Sequence, residues 1–240
     1  AVSTQFRRLL GIARRECTAL GIGHPYPETL AVLNRDLVQL EDYNIHLVPV
    51  KHLIDTHIHL YDTRRDVEIT WPKKDDTVLY KPHLPEEYSR IAKAAGVTGV
   101  VVVEASLRLE DNRWVLDLVE DDPFYVGLVG NIDPSRKDFA AQLAVLKKDP
   151  RFVGIRSRSR NPIDYESETV LENLRTLAAQ DLTLDYLCNG QGIPGIEKID
   201  AVARKIPELR IVVNHALGYD FNGGPPPAEW SAAVKRLAEN

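Results

Sequence analysis

Two histidines separated by one residue are the sharpest chemical signal in this sequence, and they lie in the segment Ile54–Leu60. We predict that this segment is a β-strand, in which alternate side chains point to the same face. His57 and His59 therefore face the same way, and two imidazoles at this spacing can bind one metal ion or one substrate oxygen. The alternative is a chance spacing of two unrelated histidines. It is disfavoured because Asp55 precedes the pair and a polar loop follows it.

Four more polar residues stand where apolar runs end: Glu104, Asn131, Arg156 and His215. We predict that His215 projects toward the same site as the histidine pair, and that Glu104 and Asn131 contact the substrate. A carboxylate that ends the apolar run Val100–Val103 is costly to bury alone, so Glu104 needs an arginine, a metal or water beside it. A salt bridge between Glu104 and Arg156 is an equally good prediction.

Three arginines at alternate positions, Arg156, Arg158 and Arg160, follow the fourth apolar run. A guanidinium pairs with a carboxylate through two parallel hydrogen bonds, so an arginine at this edge predicts a small substrate that carries a carboxylate. Only Arg156 follows the apolar run directly. We therefore predict that Arg156 binds the substrate and that Arg158 and Arg160 lie in a solvated loop.

The elements that must position these residues repeat one pattern, a short apolar run followed by a loop and a helical stretch. Strands that alternate with helices predict parallel βαβ units. We count about six units, whereas a closed barrel of this kind needs eight. The predicted fold is therefore α/β, of the (β/α)8 TIM-barrel type, incomplete with about six βα units. The predicted strands are 53–60, 97–104, 124–132, 152–155, 182–187 and 210–215, and the helices are 85–95, 110–120, 136–148, 167–179, 193–206 and 227–238.

The first fifty residues follow a different pattern, and no residue type or spacing in them indicates catalysis or metal binding. Two amphipathic helices are predicted at 5–20 and 27–40, with a short strand at 44–50. We expect residues 1–52 to be an N-terminal helical extension and residues 53–240 to be the barrel domain.

Composition narrows the class of protein. Of 240 residues, 44% are hydrophobic and 27% are charged, as in an ordinary globular protein. The net charge of -5 predicts no binding to nucleic acid or to a membrane surface. Cys17 and Cys188 are too few for a disulfide framework. The apolar runs are short and no signal peptide opens the chain, so we expect a cytoplasmic protein.

The segment Ile54–Leu60 resembles the opening strand of the amidohydrolase superfamily. Further segments narrow the resemblance to the amidohydrolase-related branch that contains 2-pyrone-4,6-dicarboxylate lactonase and the sugar-lactone hydrolases. The similarity covers roughly residues 54–230. The segments are Trp71-Pro72, Gly99–Ala105, Gly130–Pro134, Phe152–Arg156 and Val213–His215.

This resemblance implies a (β/α)8 barrel with its active site at the carboxyl ends of the strands, and hydrolysis of a lactone, an amide or a related bond. It implies that His57, His59 and His215 are catalytic and either polarise the carbonyl or hold a divalent metal such as zinc. Zinc-dependent members complete the metal shell with lysine or glutamate at strand four or histidine at strand five. Here strand four offers Arg156 and strand five offers no histidine, which favours no required metal or weak metal binding.

The superfamily also places a general-base aspartate at the end of strand eight, for which this sequence shows no candidate. We therefore expect a poor catalyst, and either a homo-oligomer that covers the open sheet edges or a marginally stable monomer. Two alternatives remain open, a metal-dependent decarboxylase of the same superfamily and a truncated non-catalytic binding module. A deoxyribonuclease of the superfamily is disfavoured by the acidic net charge.

Overall fold

The structure, a computed structural model, describes residues 2–16, 27–40, 42, 44–46, 53–158, 162–188, 190–220 and 225–240. The chain divides into two compact units, Ala1–Lys51 and His52–Asn240. Within the described ranges, no helix has both the length and the apolar character that crossing a membrane requires.

The first unit is helical. Helix α1 spans Val2–Glu16 and helix α2 spans Pro27–Asp36, followed by a 3₁₀ turn at Leu37–Gln39. The second predicted helix therefore ends four residues early, and the chain continues as the tighter turn. Of the strand predicted at 44–50, residues 44–46 belong to no strand, and the rest lie outside the described residues. Among the described residues of this unit, Phe6, Val32 and Leu40 form a buried apolar cluster.

The described part of the second unit contains one sheet of six parallel strands, which confirms the prediction of repeated βα units. Their order in the sheet is the order in the chain, from β1 to β6. The strands are β1 (Ile54–Ile58), β2 (Gly99–Val103), β3 (Tyr125–Gly130), β4 (Phe152–Arg156), β5 (Thr183–Tyr186) and β6 (Arg210–Val213). The helices are α3 (Pro85–Ala94), α4 (Glu110–Leu118), α5 (Phe139–Leu146), α6 (Glu168–Ala179), α7 (Ile193–Lys205) and α8 (Ala228–Leu237).

The core of this unit lies between the strands and their helices. The large side chains of Tyr125, Phe139, Phe152 and Tyr186 are fully buried there. The hydroxyl of Tyr125 donates a hydrogen bond of 2.9 Å to the carbonyl of Pro85, so the polar end of this core residue is satisfied at the start of α3.

Helix α5 is shorter than the sequence predicts. The backbone N–H and the hydroxyl of Ser135 both donate to a carboxylate oxygen of Asp133, at 2.8 and 2.6 Å. Such local bonds favour turns over helix. Residues 134–138 therefore form turns, and the helix begins at Phe139 instead of Arg136.

Candidate active site

The candidate site lies at the carboxyl ends of the strands, where parallel strands of one sheet all end at the same edge. Strands β1 and β6 are the two outermost strands of the sheet. Nevertheless the rings of His57, from β1, and His215, which follows β6, have centroids only 4.9 Å apart. The sheet therefore curls until its outer strands bring their ends together, and the predicted convergence of the three histidines depends on this curl.

The histidine pair has defined hydrogen bonds. The rings of His57 and His59 have centroids 5.0 Å apart. Nδ1 of His59 lies 2.9 Å from the carbonyl oxygen of Val103, which can only accept, so Nδ1 carries the proton and Nε2 keeps a lone pair. Nε2 of His57 is buried and has no hydrogen-bond partner among the described residues. Asp55 accepts from the backbone N–H of His57 at 3.1 Å and from the hydroxyl of Tyr88 at 2.5 Å.

His215 is held in a strained turn rather than at the end of an extended strand. His215, Ala216 and Leu217 have φ angles of 49°, 47° and 58°, in the left-handed region that L-residues disfavour. The turn directs the ring of His215 toward Arg156, whose Nη2 donates to Nε2 of His215 at 3.0 Å. Because guanidinium only donates, Nε2 is the acceptor and Nδ1 of His215 carries the proton.

Arg156 ends β4, is only 4% exposed, and sits in a cluster of charges. Its Nη1 lies 3.8 Å from a carboxylate oxygen of Glu104, which is the predicted ion pair. Arg158 approaches the other carboxylate oxygen at 3.4 Å, and its side chain is 20% exposed. The prediction of a solvated loop at Arg158 is therefore wrong: the buried carboxylate of Glu104 attracts a second guanidinium. Arg160 lies outside the described residues.

Burial determines the protonation states of these groups. Burial, reinforced by the positive charge of Arg156, lowers the pKa of His57 to about 4. Burial also lowers the pKa of His59 to about 4, although the hydrogen bond to Val103 opposes it. The pKa of His215 is lowered by burial and by Arg156. Burial raises the pKa of Glu104 to about 7, against the attraction of Arg158 and Arg156. At neutral pH the three imidazoles are therefore uncharged.

Asn131, a predicted substrate contact, follows β3 and is 5% exposed. Its backbone N–H and C=O both bond to the side chain of Asn112, at 2.7 and 2.8 Å. The structure thus fixes its backbone firmly, and its contact with substrate stays a prediction.

Two residues near the site, Trp71 and Asp185, were not predicted to act there. The ring of Trp71 lies 5.0 Å from that of His59. Asp185 in β5 is 4% exposed and accepts from the amide of Asn214 at 3.0 Å. Trp71 stood out in the sequence only as a family marker, and a carboxylate inside the apolar run of β5 was the available signal for Asp185.

A small cavity of about 20 Å³ lies beside Glu104. Trp71, Thr70, Glu104 and Arg108 form part of its lining. The hydroxyl of Thr70, one oxygen of Glu104 and Nε of Arg108 are buried without hydrogen-bond partners in the described part of the chain. A volume of this size holds about one water molecule.

Comparison with known proteins identifies the family. Residues 54–240 match the family described as amidohydrolase. This chain belongs to the amidohydrolase family. Residues 1–54 of the same amidohydrolase chain match a family described as divergent polysaccharide deacetylase. The L-fucono-1,5-lactonase of Burkholderia ambifaria is 32% identical over 189 residues, which are 77% of this chain and 63% of the lactonase. The chain thus spans less than two thirds of that relative's length.

Two solved structures show the fold. An amidohydrolase from Burkholderia multivorans with bound zinc superimposes with a TM-score of 0.68 at 19% identity, covering 78% of this chain and 66% of that one. A probable 2-pyrone-4,6-dicarboxylic acid hydrolase from Acinetobacter baumannii with bound citric acid gives 0.61 at 14% identity, covering 77% and 66%. Together with the curled parallel sheet, these likenesses confirm the predicted TIM-barrel type.

One of the similar solved structures contains bound zinc. In this chain the histidine side chains of the candidate site are the residues that could bind such an ion. Within the described residues, no group of three or more histidine, cysteine, aspartate or glutamate side chains is arranged to hold a metal ion. The lone pair of His215 Nε2 already accepts from Arg156. The positive charge of the Arg156 guanidinium beside His215 would also repel a metal cation. The arrangement seen here therefore does not fit a resident divalent metal.

Proposed function

We propose that this amidohydrolase chain carries the substrate-binding and carbonyl-polarising part of a hydrolase that opens a small carboxylated lactone or a similar carbonyl compound. The observation that carries this proposal is the cluster of uncharged histidines around Arg156, at the carboxyl ends of the strands. The names of two similar proteins, an L-fucono-1,5-lactonase and a probable 2-pyrone-4,6-dicarboxylic acid hydrolase, support a lactone as the substrate.

The hydrogen bonds of the cluster suggest separate roles for its members. Arg156 has a buried Nε with no hydrogen-bond partner among the described residues, so it has donors to offer a substrate carboxylate. The Nδ1–H of His215 can donate to the lactone carbonyl oxygen as negative charge develops there. The free Nε2 of His59 can accept a hydrogen bond from the attacking water. Addition of water and cleavage of the ring C–O bond would then give a hydroxy acid, with the water proton ending on the ring oxygen.

The weak basicity of the histidines limits this chemistry. An imidazole with a pKa of about 4, such as His59, removes a proton from water poorly at neutral pH. We therefore expect slow hydrolysis by this chain, in line with the sequence prediction of a poor catalyst.

A hydrolysis assay on matched lactones tests the proposal. The panel contains L-fucono-1,5-lactone and lactones with and without a carboxylate, and ring opening is followed by proton release. We expect weak turnover of at least one carboxylated or sugar lactone, lost in His59→Gln. Arg156→Gln should weaken binding of carboxylated ligands by about 1.5–3 kcal/mol, the range for a hydrogen bond to a charged partner. Arg136→Gln, on an exposed turn, is the matched control.

The other two functions give different results in the same samples. Release of carbon dioxide from a carboxylated substrate, without ring opening, would favour the decarboxylase. Binding of carboxylated ligands with no turnover at all would favour the binding module. Light scattering on these samples tests the predicted homo-oligomer.

A further inference from the structure

We propose that Asp185 and Asn214 are positioning residues, and that the hydrogen bond between them sets the turn that aims the ring of His215 at Arg156. The proposal deepens the proposed function, and it rests on that function only for the statement that His215 and Arg156 meet the substrate. The contact between His215 and Arg156 can be measured without any substrate, so the positioning role is tested separately.

Asn214 is fixed at three points immediately before His215. Its backbone N–H donates to the carbonyl of Tyr186 at 2.9 Å, and its own carbonyl accepts from the backbone N–H of Leu217 at 3.0 Å. Its side-chain amide donates to a carboxylate oxygen of Asp185 at 3.0 Å. The side chain is buried, and its amide oxygen has no partner in the described part of the chain. The bond to Asp185 therefore determines which way the amide group points.

The strand register places this bond on the face of the sheet that carries Arg156. In the pairing of β4 with β5, Arg156 stands beside Asp185, and such partners in parallel strands point to the same face. Asn214 reaches Asp185 and therefore lies on this face too. Because alternate residues of an extended chain face opposite ways, His215 would point to the other face if the strand simply continued. The chain must therefore change direction after Asn214 for His215 to reach Arg156.

This change of direction uses a disfavoured backbone, which needs to be held at both ends. His215, Ala216 and Leu217 are all left-handed, with φ angles of 49°, 47° and 58°. Backbone of this kind persists only where the surrounding structure determines it. The side chain of Leu217 is buried in the core and anchors the far end of the turn. Asn214, bonded to Asp185, anchors the near end.

Asp185 acts on both partners of the contact, the imidazole of His215 and the guanidinium of Arg156. Its side chain is buried, and its backbone carbonyl accepts from the N–H of Ser157 at 2.7 Å, which fixes β5 against the end of β4. Burial lowers the pKa of Arg156, and the negative charges of Glu104 and Asp185 oppose this shift. One carboxylate thus favours the charged form of the donor and holds the residue that precedes its acceptor.

The tautomer of His215 reports whether its ring still meets Arg156. In the unmodified protein Arg156 donates to Nε2 of His215, so the proton of the ring sits on Nδ1. A free imidazole carries it mainly on Nε2. Nitrogen NMR of the histidine rings distinguishes the two forms, and the signals of His215 are those that His215→Gln lacks. The measurement is made at pH 8, where the imidazoles of the site are uncharged.

Asn214→Asp tests the pair at nearly constant side-chain size, because it opposes one carboxylate to another across the 3.0 Å contact. We expect this variant to shift the proton of His215 to Nε2 and to bind a carboxylated lactone about tenfold more weakly, a difference of about 1.4 kcal/mol. Adding Asp185→Asn to Asn214→Asp restores one carboxylate, one amide and the net charge of the parent. The double variant should therefore recover both the tautomer and the binding.

Ser89→Ala is the matched control, because Ser89 is buried in α3 and its hydroxyl bonds to that of Tyr125 at 3.0 Å. This variant loses a buried hydrogen bond outside the site and should keep the Nδ1 form of His215. Near-UV circular dichroism establishes that each variant is folded, and Asn214→Ser replaces Asn214→Asp if the latter does not fold.

The proposal is overturned if His215 of the unmodified protein carries its proton on Nε2, or if a folded Asn214 variant keeps the Nδ1 form. It is overturned equally if the double variant does not restore that form, or if Ser89→Ala loses it. A parent protein that opens no lactone of the panel contradicts the proposed function instead, while the tautomers of the variants still decide the positioning role.

Discussion

Replacing Glu104 by glutamine should change how the stability of the protein depends on pH. Glu104 is 5% exposed, and one of its oxygens has no hydrogen-bond partner in the described part of the chain. Burial raises its pKa from 4.5 to about 7, even though Arg158 and Arg156 lie 3.4 and 3.8 Å away. In the unfolded chain the carboxyl group ionises at its ordinary pKa. Between the two values the native state therefore binds more protons than the unfolded state, and stability falls as the pH rises.

The magnitude follows from the two pKa values. At pH 5 the native carboxyl of Glu104 is protonated, whereas the unfolded one is mostly ionised. At pH 8 both are ionised, and the native carboxylate bears the full cost of burial. Integration of the proton difference between pH 5 and pH 8 gives a loss of about 2–3 kcal/mol in the free energy of unfolding. Glu104→Gln cannot ionise and should escape this loss, so its stability relative to the unmodified protein should rise by the same amount.

Urea unfolding followed by circular dichroism at pH 5 and pH 8, at one ionic strength, measures this difference. The comparison between variant and parent cancels the contributions of every other titrating group. Glu110→Gln is the matched control, because the side chain of Glu110 is 73% exposed. The reasoning fails if the difference between Glu104→Gln and its parent is the same at both pH values. If the unmodified protein became more stable relative to Glu104→Gln as the pH rises, the attraction of the two arginines would outweigh the cost of burying the carboxylate.

Three further outcomes are expected. A methyl group on Gly154 would lie 2.6 Å from the backbone oxygen of Thr183, so Gly154→Ala should destabilise the fold by about 3 kcal/mol or more in urea unfolding. Ala216→Gly relieves a left-handed residue at φ 47° and should keep or raise stability by up to about 1 kcal/mol, whereas a glycine in an ordinary helix lowers it. The native pKa values of His57 and His59 are about 4, so between pH 6.5 and 4 the unfolded chain takes up protons that the native histidines do not bind; in Glu104→Gln, which removes the opposite effect of Glu104, the melting temperature should therefore fall as the pH drops over this range.

The sequence predicted the arrangement of elements because that arrangement depends on local composition. Runs such as Val100–Val103 are buried on both sides in a parallel sheet and are therefore continuous in apolar character. Each of the six strands predicted from residue 53 onward lies within a few residues of the one found, whereas residues 44–46 of the strand predicted at 44–50 belong to no strand. The predicted start of α5 was wrong because the side chain of Asp133 accepts a hydrogen bond within a turn. The spacing of hydrophobic residues does not reveal such a turn.

The sequence by itself determined that His57, Glu104, Arg156 and His215 lie at one edge of the sheet, since parallel strands all end there. Only the tertiary structure decided which of them touch. The rings of His57 and His215 meet because the sheet curls, although their strands are its two outermost ones. The hydrogen bond of His59 to Val103 spans 44 positions of the chain, and that of Arg156 to His215 spans 59 positions. Protonation states, the inward turn of Arg158 and the pairing of Arg156 with His215 depend on such distant neighbours, because burial and charge act through space and not along the sequence.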